Sequence, residues 1–576
     1  MGASLADLSK GFRKAYLNHE EITAQLRAWV AAYPTFCRMT SLAKTPEGRD
    51  VWLLTIGRDL DRLRPAAWVD GNMHAAELAG SSVALAIAEE VLRLHVEPDT
   101  PDARDVPEPI AQRLRDIFFY VVPRISPDGA EAVLTSGRSV RSVPRDERVH
   151  RGEPRWILED IDGDGQIRSM RVKDPGGELV EAKELPGLLV ERTIEDTGPF
   201  YKLYPEGRIE HFDGKCIPSP FFLGDNPIDL NRNFPWSWAP HHEQTGAGAF
   251  ATSEPEARGI VEFATAHPNI FAWCDFHTFG GVMIRPLGHA PDSKMNQEDL
   301  AIFRQLEAWM TEHTGYPTVS GHDEFLYEPD KPLRGDLTDY AYNQRGAIGY
   351  VVELWDLFAR LDMPRPPKFA QYYERVTRHD LVRLAWWDRE ENNGRSFPPW
   401  RKVQHPQLGA VEVGGIDPRV GIWNPPTHEL PVMCTKQAQM FLRVAALAPR
   451  LRVGRIERSP LAGDLTRVEI EILNDGYLGT YGLPSAKALD FNEPIYATAS
   501  LFDGAELVDA GRAHQVLGHL DGWGHGLHTG ANLPAYPGTR GTTHVAWARY
   551  LVRGTGRLEV RAGSCRAGFV TISVTV

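Results

Sequence analysis

Residues 66–80 read AAWVDGNMHAAELAG, and their reading decides the fold. The run Ala66, Ala67, Trp68, Val69 is short and apolar and stops at Asp70-Gly71, which predicts a buried strand closed by a turn. Beyond Glu77, Val83, Ile87 and Val91 recur at four-residue spacing and Leu94 closes the stripe, which predicts a helix. His74 and Glu77 therefore fall where a strand hands over to a helix. At i and i+3, an imidazole and a carboxylate share one side of a first helical turn. Such a pair suits zinc, a borderline-soft ion that takes nitrogen and carboxylate oxygen, once a third ligand arrives from elsewhere in the chain.

Upstream, residues 19–33 (HEEITAQLRAWVAAY) predict an amphipathic helix and residues 51–56 a strand. Downstream comes a Pro/Asp-rich surface loop at 95–109. A second buried strand follows at 117–122 (IFFYVV) and is stopped by Pro123. Ser126-Pro127-Asp128-Gly129 predicts a tight turn. Ser253, with Glu256 three residues on, predicts a capping box opening a helix. The apolar run 270–276 (IFAWCDF) delivers His277, and the run 347–353 (AIGYVVE) ends on Glu353. Strands alternating with helical patterns predict an α/β fold with an open, mixed, mostly parallel, doubly wound sheet. Ligands of such sheets bind at the carboxyl ends of strands, where His74, His277 and Glu353 all stand. A helix near 431–447 precedes a change of texture. From residue 451 onward, short β-runs separated by Gly and Pro predict a small all-β sandwich. The expected division is 1–450 for the catalytic unit and 451–576 for the sandwich.

Between about 138 and 225 the pattern gives way to charge, Gly and Pro. That is too long for a structureless loop and predicts an insertion with its own structure. Within it, in EDIDGDGQIRSMRV, Asp160, Asp162 and Asp164 alternate, Gly165 takes a sixth position and Ile167 an eighth. These are the first eight positions of a calcium loop. The twelfth is Arg171 rather than a bidentate Glu, which argues against a helix–loop–helix hand. A shortened Ca2+ loop pinning the insertion and a plain Asp-Gly hairpin turn both remain open.

At 576 residues the chain exceeds a single core. Its net charge of -14 is spread along the sequence and disfavours nucleic acid or an anionic membrane surface as partner. No run approaches the length of a membrane span. The five cysteines are odd in number and widely spaced, with no C-x-x-C pair, and the opening MGASLADLSKGF has no apolar core of a signal segment. A reduced, cytoplasmic protein is expected.

With these strand ends placed, the chain resembles the zinc metallocarboxypeptidases, the carboxypeptidase A-like family, over roughly residues 19–445 apart from the insertion. Motifs stand in the family's order. GNMHAAE carries the metal pair, His74 and Glu77. Ser126-Pro127-Asp128-Gly129 matches the family's N-P-D-G turn, and twelve residues past that glycine, where the family has an oxyanion-binding arginine, stands Arg141. DLNRNF supplies Asn231 and Arg232, the pair that grips the substrate's terminal carboxylate. DFHTFGG supplies the third zinc ligand, His277, and VVELWD the general acid/base, Glu353. Tyr327 is the best match for the mobile tyrosine over the substrate carboxylate, with Tyr342 a rival that reads more easily as core. The side-chain pocket position matches Thr338, neither an acid nor a bulky apolar group. Ala76 stands where the family often has Arg, Phe279 lacks the hydroxyl of the family's aromatic, and Ser126 replaces the turn's Asn.

The residues support the same chemistry without the family. Two imidazoles and one carboxylate leave a fourth zinc position open for water. The metal acidifies that water and polarises a carbonyl. Glu353 can take the proton and pass it to the leaving amine. Guanidinium groups suit the substrate carboxylate and the developing oxyanion. The expected function is zinc-dependent removal of C-terminal residues from peptides, on a peptide or small amide substrate with a free carboxylate. Two alternatives stand beside it: a zinc amidohydrolase or deacylase acting on a small acylated amino acid or cell-wall peptide, and a non-catalytic binding protein that keeps the cleft. Asn231 and Arg232 favour the first reading, and an intact Glu353 disfavours the last.

Overall fold

The strand runs read from the sequence converge on one eight-stranded sheet in the computed structural model. The model describes residues 4–98, 106–145, 152–220, 228–328, 331–374, 376–526 and 539–576. Parts of the Pro/Asp-rich loop and of the insertion lie outside the described residues. The strand order is Cys37–Lys44, Asp50–Ile56, Phe118–Val122, Ala66–Gly71, Ile270–Thr278, Ile348–Leu354, Val282–Arg285, Thr318–Ser320. The four middle strands run parallel to one another, and antiparallel pairings flank them.

The Ala66–Gly71 strand is buried along its whole length, as a strand covered on both faces must be. Its side chains alternate between two cores. Ala67 and Val69 pack with the helices Ala79–Val96 and Leu430–Ala445. Ala66 and Trp68 join Trp273 and the helices Pro255–Ala266 and Leu337–Asn343 on the other side. Helices therefore cover both faces, which is the doubly wound α/β architecture. No helix among the described residues is long and apolar enough to cross a membrane.

The insertion is β-structured. Ser169–Lys173, Phe200–Pro205, Leu179–Glu181 and Leu189–Glu191 form one sheet with the hairpin strands Arg401–His405 and Gly409–Gly414. That long-range pairing leaves no local mark in the sequence. Two four-stranded antiparallel sheets from Leu451 to Thr575 enclose a separate apolar core. Arg566 docks this sandwich on the main sheet. It is 2% exposed and donates to the carbonyls of Ile270, Arg345 and Gly346. Those carbonyls lie at the amino ends of two central strands, opposite the ends that carry His277 and Glu353.

Two local expectations change. Ser126–Gly129 is not an isolated turn. Pro127 takes the first position of the helix Pro127–Ser136, where its missing N–H costs nothing. Gly129 is needed for close packing, since a Cβ there would collide with the Ser142 carbonyl oxygen. Ser253 and Glu256 do not form a capping box. The helix begins after Glu254, to which Ser253 donates its hydroxyl at 2.8 Å, and no side chain caps it.

Glu256 is fully buried instead, and neither carboxyl oxygen has a hydrogen-bond partner. Burial pushes its pKa from 4.5 to about 7. The folded chain thus holds a proton that the unfolded chain releases above pH 4.5, and stability falls as pH rises from there through 7. Glu256→Gln removes the titration. It is expected to match wild type near pH 5 and to exceed its stability by up to about 3 kcal/mol at pH 8. Urea unfolding at the two pH values checks this, and a pH-independent difference contradicts it.

Candidate active site

His74 and Glu77 lie in a turn that precedes the helix Ala79–Val96 rather than in the helix's first turn. Two asparagines explain the difference. Asn72, at a φ of 56°, donates its amide to the carbonyls of His74 (2.8 Å) and Ala75 (3.2 Å). Asn424 caps the helix from far along the chain. Its oxygen accepts from the Ala79 N–H at 2.8 Å, and its nitrogen donates to the Ala76 carbonyl at 2.6 Å. At Gly80 the helix comes so close to the neighbouring strand that a Cβ would collide with the Phe276 carbonyl.

That strand delivers His277. His277 Nδ1 stands 3.0 Å from His74 Nδ1 and 2.9 Å from Glu77 Oε2, while His74 Nδ1 stands 2.8 Å from Glu77 Oε1. The three ligand atoms lie within 4.8 Å of one another and are buried. The far ring nitrogens are both claimed by carboxylates, His74 Nε2 by Asp229 (3.0 Å) and His277 Nε2 by Asp275 (2.8 Å). Each carboxylate holds its imidazole as the tautomer that leaves Nδ1 free to ligate. Burial opposes the charge on Glu77, but His74 and His277 beside it outweigh burial and hold its carboxyl well below the usual range. The donor set, its convergence and its supporting carboxylates fit a zinc ion.

Glu353 is register partner of His277 on the adjacent parallel strand, so both reach the same end of the sheet. Its Oε2 is shielded from solvent and has no hydrogen-bond partner. Burial, reinforced by the charge of Glu77, raises Glu353 to about 8, against the pull of His277 and Arg141. Beneath the site, Asp70 accepts from the indoles of Trp68 (2.5 Å) and Trp273 (2.8 Å) and sits beside Asp275. Burial and that neighbour push Asp70 well above the carboxylate range.

A cavity of about 240 Å³ opens over these groups and is lined by His74, Glu77, His277 and Glu353. Arg141, Asn231, Arg232, Tyr327 and Thr338 complete it. Arg141, rather than Arg138, lines the wall, with Nε 3.0 Å from Asp229 and a terminal nitrogen 3.5 Å from Glu77. The Asn231 side chain accepts from the Leu337 N–H at 2.8 Å, and Arg232 donates to the Asn231 carbonyl at 2.6 Å. Tyr327 stands 42% exposed at the rim, while Tyr342 is buried against Asp299. Tyr373 and Trp423 also line the cavity and were not singled out in the sequence. Asp229 and Asp275 were missed as well, although each stands two residues from a residue that was read. On an extended strand, that spacing puts Asp275 on the face of His277.

The calcium expectation is not supported. Asp164 turns away to Arg168 and Arg401, and Glu206 takes its place beside Asp160 and Asp162. Both oxygens of Asp160 accept backbone N–H groups of the loop, from Gly163 and Gly165 at 2.8 Å each. Glu206 accepts from the N–H groups of Ile161, Asp162 and Arg168. These contacts make a side-chain-braced turn, with Arg168 and Arg401 paired to Asp164.

The family described as zinc carboxypeptidase matches residues 22–162 and 224–371, together about half of the chain. A domain of unknown function matches residues 450–575. Bovine (Bos taurus) carboxypeptidase O is 27% identical over 209 residues, covering 35% of this chain and 50% of that protein. Human (Homo sapiens) mast cell carboxypeptidase A is 27% identical over 166 residues, covering 27% of this chain and 36% of that protein. The chain thus spans half or less of the length of these two relatives. The crystal structure of carboxypeptidase A from Helicoverpa armigera superposes at a TM-score of 0.37 with 19% identity, covering 62% of this chain and 68% of that one. On the match that spans both sides of the insertion, the chain belongs to the zinc carboxypeptidase family.

Proposed function

We propose that this protein is a zinc-dependent carboxypeptidase. The observation that carries the reading is that Asn231 and Arg232 line the same cavity as His74, Glu77, His277 and Glu353. A carboxylate clamp beside a metal site selects a substrate with a free C-terminus. No ion pair engages Arg232 among the described residues, which leaves its guanidinium for the substrate.

His74, Glu77 and His277 would hold the metal. When bound there, zinc supplies Lewis acidity that acidifies a water and polarises the scissile carbonyl. Asp229 and Asp275 hold the two imidazoles in orientation. Glu353, whose buried oxygen has no other partner, takes the proton of the attacking water and returns it to the leaving nitrogen. Arg141 stands beside Glu77 and stabilises charge developing on the carbonyl oxygen. Tyr327 closes over the terminal residue from the rim.

Blocked dipeptides, compared with their C-terminal amides with and without a chelator, test the proposal. Cleavage of the free acids alone, abolished by the chelator, is expected. Equal cleavage of the amides would favour an amidohydrolase. Arg232→Ala is expected to raise KM for the free acids by about 10²-fold with a smaller change in kcat, because that contact is made in ground and transition states alike. An unchanged KM contradicts the clamp.

A further inference from the structure

A second cavity, of about 340 Å³, adjoins the active site and takes no part in the zinc chemistry. Trp423 lines both cavities. Leu158, Ile167, Pro205, Ile416 and Ile422 supply the rest of its apolar wall. Leu158, Ile167, Ile416, Ile422 and Trp423 are half-buried, so each keeps surface open for contact. The charged side chains of the wall are already paired. Arg168 meets Asp164 at 2.5 Å, and Asp417 accepts from Arg419 through both oxygens, at 2.8 and 2.6 Å. A ligand there meets chiefly apolar surface.

The cavity is fixed to the elements that carry the metal site. Asn424 donates to the Ala76 carbonyl at 2.6 Å, between His74 and Glu77 in the chain. Trp355, two residues past Glu353, donates its indole N–H to the Gly421 carbonyl at 3.1 Å. Trp423 packs against the cluster of Ala75, Ala76, Val133 and Val140, and Ile422 joins the cluster on which Phe279 packs, two residues past His277. The insertion is tied in through the Ile167 N–H, which donates to the Ser136 carbonyl at 2.7 Å. Ile167, Pro205, Ile416, Ile422 and Trp423 all lie outside residues 22–162 and 224–371, so the insertion and the segment after the catalytic strands add this wall to the family's site.

The carboxylate clamp leans on a different wall, where Asn231 accepts from the Leu337 N–H at 2.8 Å. A peptide with its terminal carboxylate on Asn231 and Arg232 and its scissile carbonyl at the metal ligands therefore carries its upstream residues toward Trp423. We propose that this second cavity is a substrate subsite that takes an apolar side chain from a residue on the amino side of the scissile bond. This rests on the carboxypeptidase reading above. Burial of a leucine side chain there favours binding by about 10- to 10²-fold. A serine gains none of this, and a charged side chain would be desolvated against arginine and aspartate that already hold partners.

Blocked tripeptides with one fixed C-terminal residue, and leucine or serine at each of the two upstream positions in turn, test this. Wild type is expected to prefer leucine at one of those positions by about 10-fold or more in kcat/KM, carried by KM, because the contact is the same in ground and transition states. Ile167→Asn places an amide in the wall and is expected to raise KM for the preferred leucine peptide toward that of its serine counterpart, while Ile167→Val keeps the preference. Ile416→Asn, from the other chain segment, carries the same expectation, so a folding defect in one variant leaves the other to decide. Equal treatment of leucine and serine at both positions by wild type overturns the proposal, as does a full preference in a folded Asn variant. If no peptide is cut, the carboxypeptidase reading fails, and calorimetric titration of the same peptides into zinc-loaded protein decides the cavity. Tighter binding of a leucine peptide, lost in Ile167→Asn or Ile416→Asn, supports the proposal, and equal binding of leucine and serine peptides overturns it.

Discussion

Glu353→Gln is expected to lower kcat on a peptide that wild type cleaves by about 10²- to 10⁴-fold, with zinc content unchanged. The substitution keeps the shape of the side chain and an acceptor oxygen but removes the proton carrier. Three observations single out this carboxyl. It is the register partner of His277, so the sheet itself fixes its distance from the metal ligands. Its Oε2 is buried without a partner in the cavity that the metal ligands line. Burial brings its pKa to about 8, close to where a group both takes and returns protons near neutrality. Near-normal turnover in Glu353→Gln would reduce Glu353 to a structural role and remove the hydrolytic mechanism.

The second large effect concerns the ligands. A His74→Ala, His277→Ala double variant is expected to lose stoichiometric zinc and to fall to background activity. Glu77 then remains as a single carboxylate, too few donors for a tetrahedral site. The double variant should also lose the stabilisation that zinc gives wild type. A ligand bound only by the folded state contributes about 4 kcal/mol at a thousandfold excess over its Kd. The melting temperature of the variant is therefore expected not to respond to added zinc, while that of wild type rises. Full zinc retention in the variant would place the metal elsewhere.

The central sheet was legible because its strands are buried on both faces and read as apolar runs. Ala66–Gly71, Phe118–Val122, Ile270–Thr278 and Ile348–Leu354 all carry that signature. The same runs carried His277 and Glu353 to one end of the sheet, so the metal ligands and the base could be read together. What escaped was held by contacts distant in sequence. Asn424 caps a helix that begins at Ala79, and the hairpin Arg401–Gly414 completes the sheet of the insertion. Neither leaves a local pattern. At the alternating aspartates of 160–164, where a calcium loop and a plain turn were both open, the loop is a turn braced by Glu206, Arg168 and Arg401, and the calcium option gains no support.

The most direct measurement is a zinc titration of metal-free protein while hydrolysis of a blocked dipeptide with a free C-terminus is followed. The account predicts no activity without metal, a linear rise, and a break at about one zinc per chain. The His74→Ala, His277→Ala protein should stay flat throughout. Full activity in the metal-free protein, or recovery of activity by the double variant, would contradict it.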